Sequence, residues 1–313
     1  TRRWHYASEA DAVYDVLRLS QGMTYKAACS GLPMGGAKSV IFLPMRGQRA
    51  TEAEARAMGR FVDTFAGEYI AAEDVGVDTQ FVDWMAHETK HVMGGETVSS
   101  GGDPSPYTAQ GVVNSMKACL KSLNGNASFE GVTVAIQGLG SVGTNMTRIL
   151  TSLGAHVIGS DINADRVQYC VNEYGLEPTG PEAILTTKCD ILAPCALGGV
   201  INGTTVRELQ CQIVCGGANN VLDDPDEDAV VLKNRGILYS PDFVANAGGL
   251  IHLAGLYLGM TMEQLKRKND EIEATTTQVL NESANMPSTH AAAISLAKRR
   301  IAEGARKKQE KVH

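Results

Sequence analysis

The sequence predicts an α/β protein of two domains, and three observations carry that prediction. The chain has 313 residues, and single hydrophobic cores stop growing at about 250–300 residues, so two domains are the default. Beyond Pro106 short apolar runs alternate with helical patterns, which implies a parallel sheet covered on both faces. The first of those runs, VTVAIQ, leads straight into Gly138-Leu-Gly140-Ser-Val-Gly143, a G-x-G-x-x-G turn opening a helix. In open parallel sheets ligands bind at the carboxyl ends of the strands, and the Gly- and Asn-rich loops of this chain lie there.

The elements follow in order. Ser8 is a good N-cap, with Glu9 and Asp11 in the first turn. Val13, Val16, Leu17 and Ser20 continue at helical spacing, and Gly31-Leu32-Pro33 ends the helix. Lys38–Leu43 (KSVIFL) reads as a buried strand, Glu52–Phe65 as an amphipathic helix, Tyr69–Ala72 as a strand and Thr79–His91 as a helix. Ser99–Pro106 (SSGGDPSP) is the best linker, and a long helix follows to about Leu123. The alternating part then places strands at Val132–Gln137, His156–Asp161, Ile191–Ala193, Ile213–Cys215 and Ile237–Tyr239, with helices at Val142–Leu153 and Ala164–Tyr174. Thr261-Met-Glu-Gln264 fits a capping box for a helix to about Ala284. Pro287 breaks it, and a last helix runs from about His290 to Lys307.

Composition excludes several classes. At 43% hydrophobic and 20% charged the chain has the makeup of an ordinary globular protein. A net charge of −7 supplies no attraction to nucleic acid or anionic membrane. The basic tail, Lys298, Arg299, Arg300, Arg306, Lys307 and Lys308, reads as a solvated helix end complementing its dipole. The longest apolar runs, around Val132–Ile136 and Leu250–Leu258, are too short to span a bilayer. No secretory leader follows Thr1, and the Thr start suggests a chain that begins inside a longer one. Seven scattered cysteines (Cys29, Cys119, Cys170, Cys189, Cys195, Cys211, Cys215) without Cys-x-x-Cys read as buried thiols in a reducing cytoplasm, not as disulfides or a zinc site.

The glycine turn carries a ligand prediction. Gly138 permits the tight turn, Gly140 lets the backbone touch a pyrophosphate, and Gly143 lets the helix pack on the strand. The helix N-terminus, from Ser141 and Val142 onward, offers free N–H groups to phosphates. Asp161 lies 21 residues after Gly140, at the end of HVIGSD, where it would accept hydrogen bonds from ribose hydroxyls. A carboxylate there repels a 2′-phosphate, and Ile162, Asn163 and Ala164 supply no Arg to bind one. NAD is therefore favoured over NADP.

The first segment must name the reaction, because a nucleotide fold does not. Lys26 follows Met-Thr-Tyr at the end of a helix, and Lys38 stands between Gly35-Gly36-Ala37 and the apolar VIFL. Desolvation and a second ammonium both lower a lysine pKa, so one of the pair could act as a base near neutral pH. Asp74, just after a strand, could hydrogen-bond to them. The residues alone are equally compatible with surface lysines and a turn acid. His87-Glu88-Thr-Lys-His91 formally matches the H-E-x-x-H zinc-protease string, which recurs by chance and would need a third ligand.

Seven segments in order, YKAACSGLPMGGAKSVI, YIAAEDVGVDTQFVDWMAHETKHVMGG, DPSPYTAQGV, VAIQGLGSVG, CDILAPCALGGVIN, CGGANN and YSPDFVANAGGLIHLAG, resemble the Glu/Leu/Phe/Val amino-acid dehydrogenases from Thr1 to about Gly255. The resemblance implies NAD-linked oxidative deamination of an L-amino acid to a 2-oxo acid and ammonia, and the reverse reductive amination. It implies a Rossmann-type NAD-binding domain facing an α/β catalytic domain across a cleft, with residues 1–106 catalytic, rejoined by the C-terminal helix 285–313, and residues 107–284 binding the cofactor. By motif, Lys38 is implied as the base that activates water, Lys26 as the group that holds the substrate carboxylate or carbonyl, and Asp74 as the assistant to proton transfer at the amino nitrogen. Thr108 would hold the nicotinamide carboxamide, Asn220 and Asn246 would contact substrate or the nicotinamide ribose, and Cys195, Ala196 and Leu197 would line the cofactor path. A homo-oligomer is implied, and the family carries several dozen residues ahead of the Thr1-Arg2 motif.

The implied substrate is apolar. Glutamate enzymes place a Ser seven residues after the Asn of the NAGG motif, and here that position is Leu253. Leu250 and Leu253 share a helix face. With Met23, one helical step from Lys26, they would form a pocket in which a distal carboxylate has no partner. Ala72 resembles the branched-chain enzymes, and the Leu250–Leu253 run the phenylalanine enzymes, so a phenylalanine-type substrate is expected, with leucine and valine close behind. A non-catalytic NAD-binding sensor is the competing reading.

Overall fold

In the computed structural model residues 1–97 and 102–310 are described, without the side chains of residues 307–310. The start of the expected Ser99–Pro106 linker, and the side chains of Lys307 and Lys308, lie outside the described residues.

The first half is built from β1 (Arg2–Trp4), α1 (Glu9–Cys29), β2 (Val40–Phe42), α2 (Glu52–Asp63), β3 (Ala71–Ala72), α3 (Thr79–Ala86) and β4 (Val92–Met93). Capping accounts for the helix starts. Ser8, Thr51 and Asp78 each accept a backbone N–H from the first turn of the helix they precede, which satisfies donors that have no intrahelical partner. Strand β1 pairs in parallel with β2, and β3 with β4. Ala55, Val62, Ala71, Phe81, Val82 and Met85 form the core beneath these elements.

The second half continues with α4 (Ser105–Asn124), β5 (Thr133–Gln137), α5 (Ser141–Ser152), β6 (His156–Ser160), α6 (Ala164–Tyr174), β7 (Glu177–Pro178), β8 (Ile191–Pro194), β9 (Ile213–Val214), α7 (Pro225–Asn234), β10 (Leu238–Tyr239), α8 (Asp242–Ala245), α9 (Gly248–Tyr257), α10 (Met262–Glu282) and α11 (Thr289–Glu310). Six strands form one all-parallel sheet in the order β10-β9-β8-β5-β6-β7. That is the doubly wound dinucleotide-binding order, with its switch point between β5 and β8. Both faces are covered. Met116, Leu120, Met146 and Leu150 pack on one side, and Ile184, Val206, Val221 and Leu232 on the other. The apolar centre of β5, Val134-Ala135-Ile136, is fully buried, as double coverage requires.

Three expectations shift. The helix expected to run from Thr79 to His91 ends at Ala86, with His87 as its C-cap. The H-E-x-x-H string therefore straddles a helix end and a turn. Helix α11 does not belong to one half: Arg300 donates to the carbonyls of Ala28 and Cys29 at the end of α1, while Arg299 pairs with Glu282 of α10 at 2.7 Å. Ala292, Ala293, Leu296 and Ala297 join Cys29, Phe243, Val244 and Val279 in one apolar cluster that ties the halves together. Finally, Val13 and Leu17 of α1 do not face a core. They are exposed, as are Tyr14, Trp4, Phe42 and Met45. Among the described residues no helix is long and apolar enough to cross a membrane.

Candidate active site

Lys38 and Asp74 are brought together by two close backbone approaches. Gly36 crosses α1 so tightly that a Cβ on it would lie 2.0 Å from the Thr24 nitrogen; the Thr24 hydroxyl also donates to the Gly36 carbonyl at 3.2 Å. This pins the loop that carries Lys38. Gly76 has φ +77°, and a Cβ there would meet the Arg3 carbonyl at 2.2 Å. Only glycine fits both demands, and the Arg3 N–H donates to the Val75 carbonyl at 2.9 Å. The loop carrying Asp74 is thereby pinned to β1. The result is an ion pair of Lys38 Nζ with Asp74 Oδ1 at 3.0 Å, both side chains largely buried.

Burial lowers the Lys38 pKa, and Asp74 opposes that without cancelling it. For Asp74, burial pushes the pKa up, but Lys38 and Arg2 outweigh it and hold the carboxyl below its usual range. A lysine kept from full basicity beside an ionised carboxylate is suited to proton transfer at its Nζ.

Lys26, on the last turn of α1, reaches across to the loop after β9, where its Nζ donates to Asn219 Oδ1 at 2.9 Å. Burial lowers its pKa to about 8, helped by Lys38 and opposed by Asp242 and Asp74. Asn246 Nδ2 donates to the same Asn219 oxygen at 2.9 Å and to the carbonyls of Ala218 and Gly217 at 3.1 and 3.2 Å. Lys26, Asn219 and Asn246 thus form one polar bridge between the halves. Sequence reading assigned Asn220 to the substrate or the nicotinamide ribose and did not single out Asn219. Asn220 is exposed with φ +52°, and its neighbour Asn219 makes the contacts. The A-N-N string gave no way to choose between them, since the choice depends on which of the two adopts the left-handed turn.

The glycine turn sits at the switch point. Gly138 (φ +95°) faces Ala196, whose nitrogen would be 2.9 Å from a Cβ on the glycine. Gly143 packs against the Gly138 carbonyl, 2.0 Å from where its Cβ would be, whereas Gly140 faces open space. Ser141 and Val142 open α5. Asp161 accepts from the N–H groups of Leu139 at 2.7 Å and Asn163 at 2.8 Å, which fixes its carboxylate at the end of β6. Arg166 stands 3.8 Å from it, beyond the three positions considered from sequence. Cys195 Sγ accepts from the Gly217 N–H at 3.4 Å. Thr108, in the first turn of α4, abuts Gly249, and a Cβ at Gly249 would lie 2.6 Å from its hydroxyl.

These residues fit a dinucleotide. A free helix N-terminus and an open glycine face suit a pyrophosphate. Two buried acceptors, Gln137 Oε1 at the end of β5 and Asn246 Oδ1, find no hydrogen-bond partner among the described residues, which is the state expected of groups that meet donors on a ligand. Ile162 and Leu197, 94% and 77% exposed, follow Asp161 and Ala196 on the two loops beside β5. Apolar residues so exposed beside the switch point suit the faces of a planar base; Leu197 belongs to the Cys195-Ala196-Leu197 run expected to line the cofactor path, and Ile162 is the one that sequence reading passed over.

Ala72, Leu250 and Leu253 share one apolar cluster with Leu32, Met34 and Met93. Met23 is outside it and instead abuts Gly36.

The zinc-protease alternative does not survive. Glu88 is paired with Arg56 at 3.0 Å and with Arg60 at 3.5 Å, His91 Nδ1 is hydrogen-bonded to the Tyr257 hydroxyl at 2.8 Å, and no metal-ligand cluster exists among the described residues.

The chain is similar to known proteins over most of its length. Residues 1–91 match the family model described as Glu/Leu/Phe/Val dehydrogenase, dimerisation domain. Residues 102–177 and 163–256 match Glutamate/Leucine/Phenylalanine/Valine dehydrogenase. A leucine dehydrogenase of Thermoactinomyces intermedius is 44% identical over 272 residues, covering 87% of this chain and 74% of its own. One from Geobacillus stearothermophilus is 41% identical over 304 residues, covering 96% and 82%. The crystal structure of L-tryptophan dehydrogenase from Nostoc punctiforme superposes with a TM-score of 0.86 at 36% identity, over 98% of this chain and 88% of that one.

Proposed function

This chain belongs to the glutamate/leucine/phenylalanine/valine dehydrogenase family, and from that premise we propose that it oxidatively deaminates an apolar L-amino acid to its 2-oxo acid and ammonia, and runs the reverse reductive amination. The cofactor is NAD, which supplies the hydride acceptor when bound. The observation that carries the reading is the Lys38–Asp74 pair, 3.0 Å apart, in a chain whose glycine turn at the switch point has a middle glycine facing open space.

The chain's own residues divide the work. Lys26 Nζ holds the substrate carboxylate, and Asn219 and Asn246 orient it. Asp74 assists proton transfer from the amino nitrogen, so that the α carbon can release its hydride. Lys38 Nζ takes the proton of the water that adds to the resulting imine carbon. Charged donors fixed ahead of the reaction stabilise the developing carbinolamine oxygen without having to reorganise. Ala72, Leu250 and Leu253 receive the side chain and leave a distal carboxylate without a partner, which disfavours glutamate. Thr108, Asp161, Cys195 and Ala196 place the cofactor, with residues 107–284 as its domain and 1–106 as the catalytic one.

Leucine is the first substrate to test, because two leucine dehydrogenases are 44% and 41% identical to this chain; phenylalanine and tryptophan come next. A pocket of this kind discriminates one methylene by only ~1–3 kcal/mol, so overlapping use of leucine, valine and phenylalanine is expected. Exposed Trp4, Val13, Leu17, Phe42 and Met45 supply an apolar face for a second copy, consistent with a homo-oligomer. NADH formation with a panel of L-amino acids at alkaline pH tests the activity. Turnover with apolar substrates and not with glutamate supports it, and NAD binding without turnover of any substrate refutes it.

A further inference from the structure

The Lys38–Asp74 pair is one end of a longer chain of charges. Asp74 Oδ1 faces Lys38, and its Oδ2 accepts from Arg2 Nε at 2.8 Å. Arg2 Nη1 donates at 2.9 Å to Asp15 Oδ2, which also accepts from the Tyr6 hydroxyl at 2.5 Å. The links come from β1, α1, the loop after β3 and the residue two before β2, and Arg2 is mostly buried among them.

We propose that Arg2 is a positioning residue of this site: its planar fork spans Asp74 and Asp15, turns one Asp74 oxygen toward Lys38, and offsets the Asp74 charge so that Lys38 can give up its proton. The inference rests on the reading of Lys38 as the base. An arginine suits the task where a lysine would not, since it holds two carboxylates in a fixed geometry and never loses its charge. Without Arg2, Asp74 would lose the guanidinium hydrogen-bonded to its Oδ2 and would hold the Lys38 ammonium proton more tightly. The groups facing Lys38 are Asp74 from the loop after β3, Arg2 and the Thr1 amino group beside it, and Asp15 and Lys26 from α1; the hydroxyls of Ser39, Thr1 and Tyr69 add a hydrogen-bonded row next to it. Arg2 lowers the Lys38 pKa and Asp15 raises it. Tyr6 is pushed up to about 12 by burial and by Asp15, so it remains a neutral donor.

The signs of these effects separate tuning from simple scaffolding. Arg2→Met should move the Lys38 titration to higher pH by about one unit, a tenfold change in its proton equilibrium, and Asp15→Asn should move it to lower pH by less. Arg2→Lys keeps the charge and should restore the wild-type titration while leaving turnover reduced. The readout is the pH dependence of Lys38 acylation by acetic anhydride, followed by peptide mass spectrometry on the full chain, beside the pH profile of kcat/KM. NAD binding reports whether each variant is folded. Should Arg2→Met fail to fold, Asp15→Asn and Arg2→Lys still decide. Opposite shifts support the proposal. A Lys38 titration unmoved by either charge change, or moved the same way by both, overturns it. Normal labelling shifts in a protein that turns over no amino acid would overturn the proposed activity and not the electrostatic role of Arg2.

Discussion

Gly140 and Gly143 stand three residues apart in one turn, yet alanine should act on them in opposite ways. A Cβ on Gly140 meets nothing within 4 Å, and its backbone, φ −66° and ψ −168°, suits any residue. Gly140→Ala should therefore leave stability within about 0.5 kcal/mol of the parent. A Cβ on Gly143 would sit 2.0 Å from the Gly138 carbonyl oxygen and 3.5 Å from Ile136. Relief requires more than an ångström of backbone movement in a packed turn, and overpacking of that kind costs about 1–3 kcal/mol. At roughly 2–4 °C per kcal/mol for a chain of this size, Gly143→Ala should melt about 2–12 °C lower. The ligand side reverses the order of interest. The open face of Gly140 is the surface a pyrophosphate would touch, so the added methyl should raise the NAD Kd at least tenfold, about 1.4 kcal/mol. Thermal shift with and without NAD reads both effects, because ligand at 100 times Kd raises stability by about 2.7 kcal/mol. A Gly140→Ala variant with parental NAD affinity, or a Gly143→Ala variant with parental Tm, would refute the assigned roles.

Three further outcomes follow from the same geometry. Lys26 has its pKa lowered to about 8 by burial, so its charge is present below that pH and lost above it; KM for the amino acid should climb as pH rises through about 8, and Lys26→Met should remove that dependence along with most of the affinity. Leu253→Ala should lower kcat/KM for leucine by about 10–200-fold, the span of ~1–3 kcal/mol for lost apolar contact, with NAD affinity unchanged by direct binding. Leu17→Glu, which adds charge to the exposed apolar face of α1, should reduce the mass measured by light scattering if that face meets a second copy, and an unchanged oligomer would place the contact elsewhere.

Much of the fold was legible because its signals are local. The capping box at Thr261 and Gln264 is present on both sides, and the double burial of β5 shows in its continuous apolar run. Legibility failed where a long-range partner decides. Helix α3 stops at Ala86 although the helical pattern continues, since Glu88 is drawn to Arg56 and Arg60 and His91 to Tyr257. Strand β4 and the two-residue β7 carry too few residues for a period. In the site, Lys26, Lys38 and Asp74 could be named from motif, but Asn219 and Arg2 could not: each earns its place through a partner 193 or 72 positions away. Met23 was assigned by helical spacing alone, and the crossing of Gly36 over α1 claims that side of the helix.

The central claim is that Lys38 carries proton transfer in an NAD-linked oxidation of an amino acid. It is tested most directly by NADH formation in Lys38→Ala, with NAD affinity measured on the same sample. General-base chemistry contributes about 10²–10⁴-fold, so turnover should fall by that range or below detection while the NAD Kd stays at the parental value. Parental turnover in the variant would contradict the account.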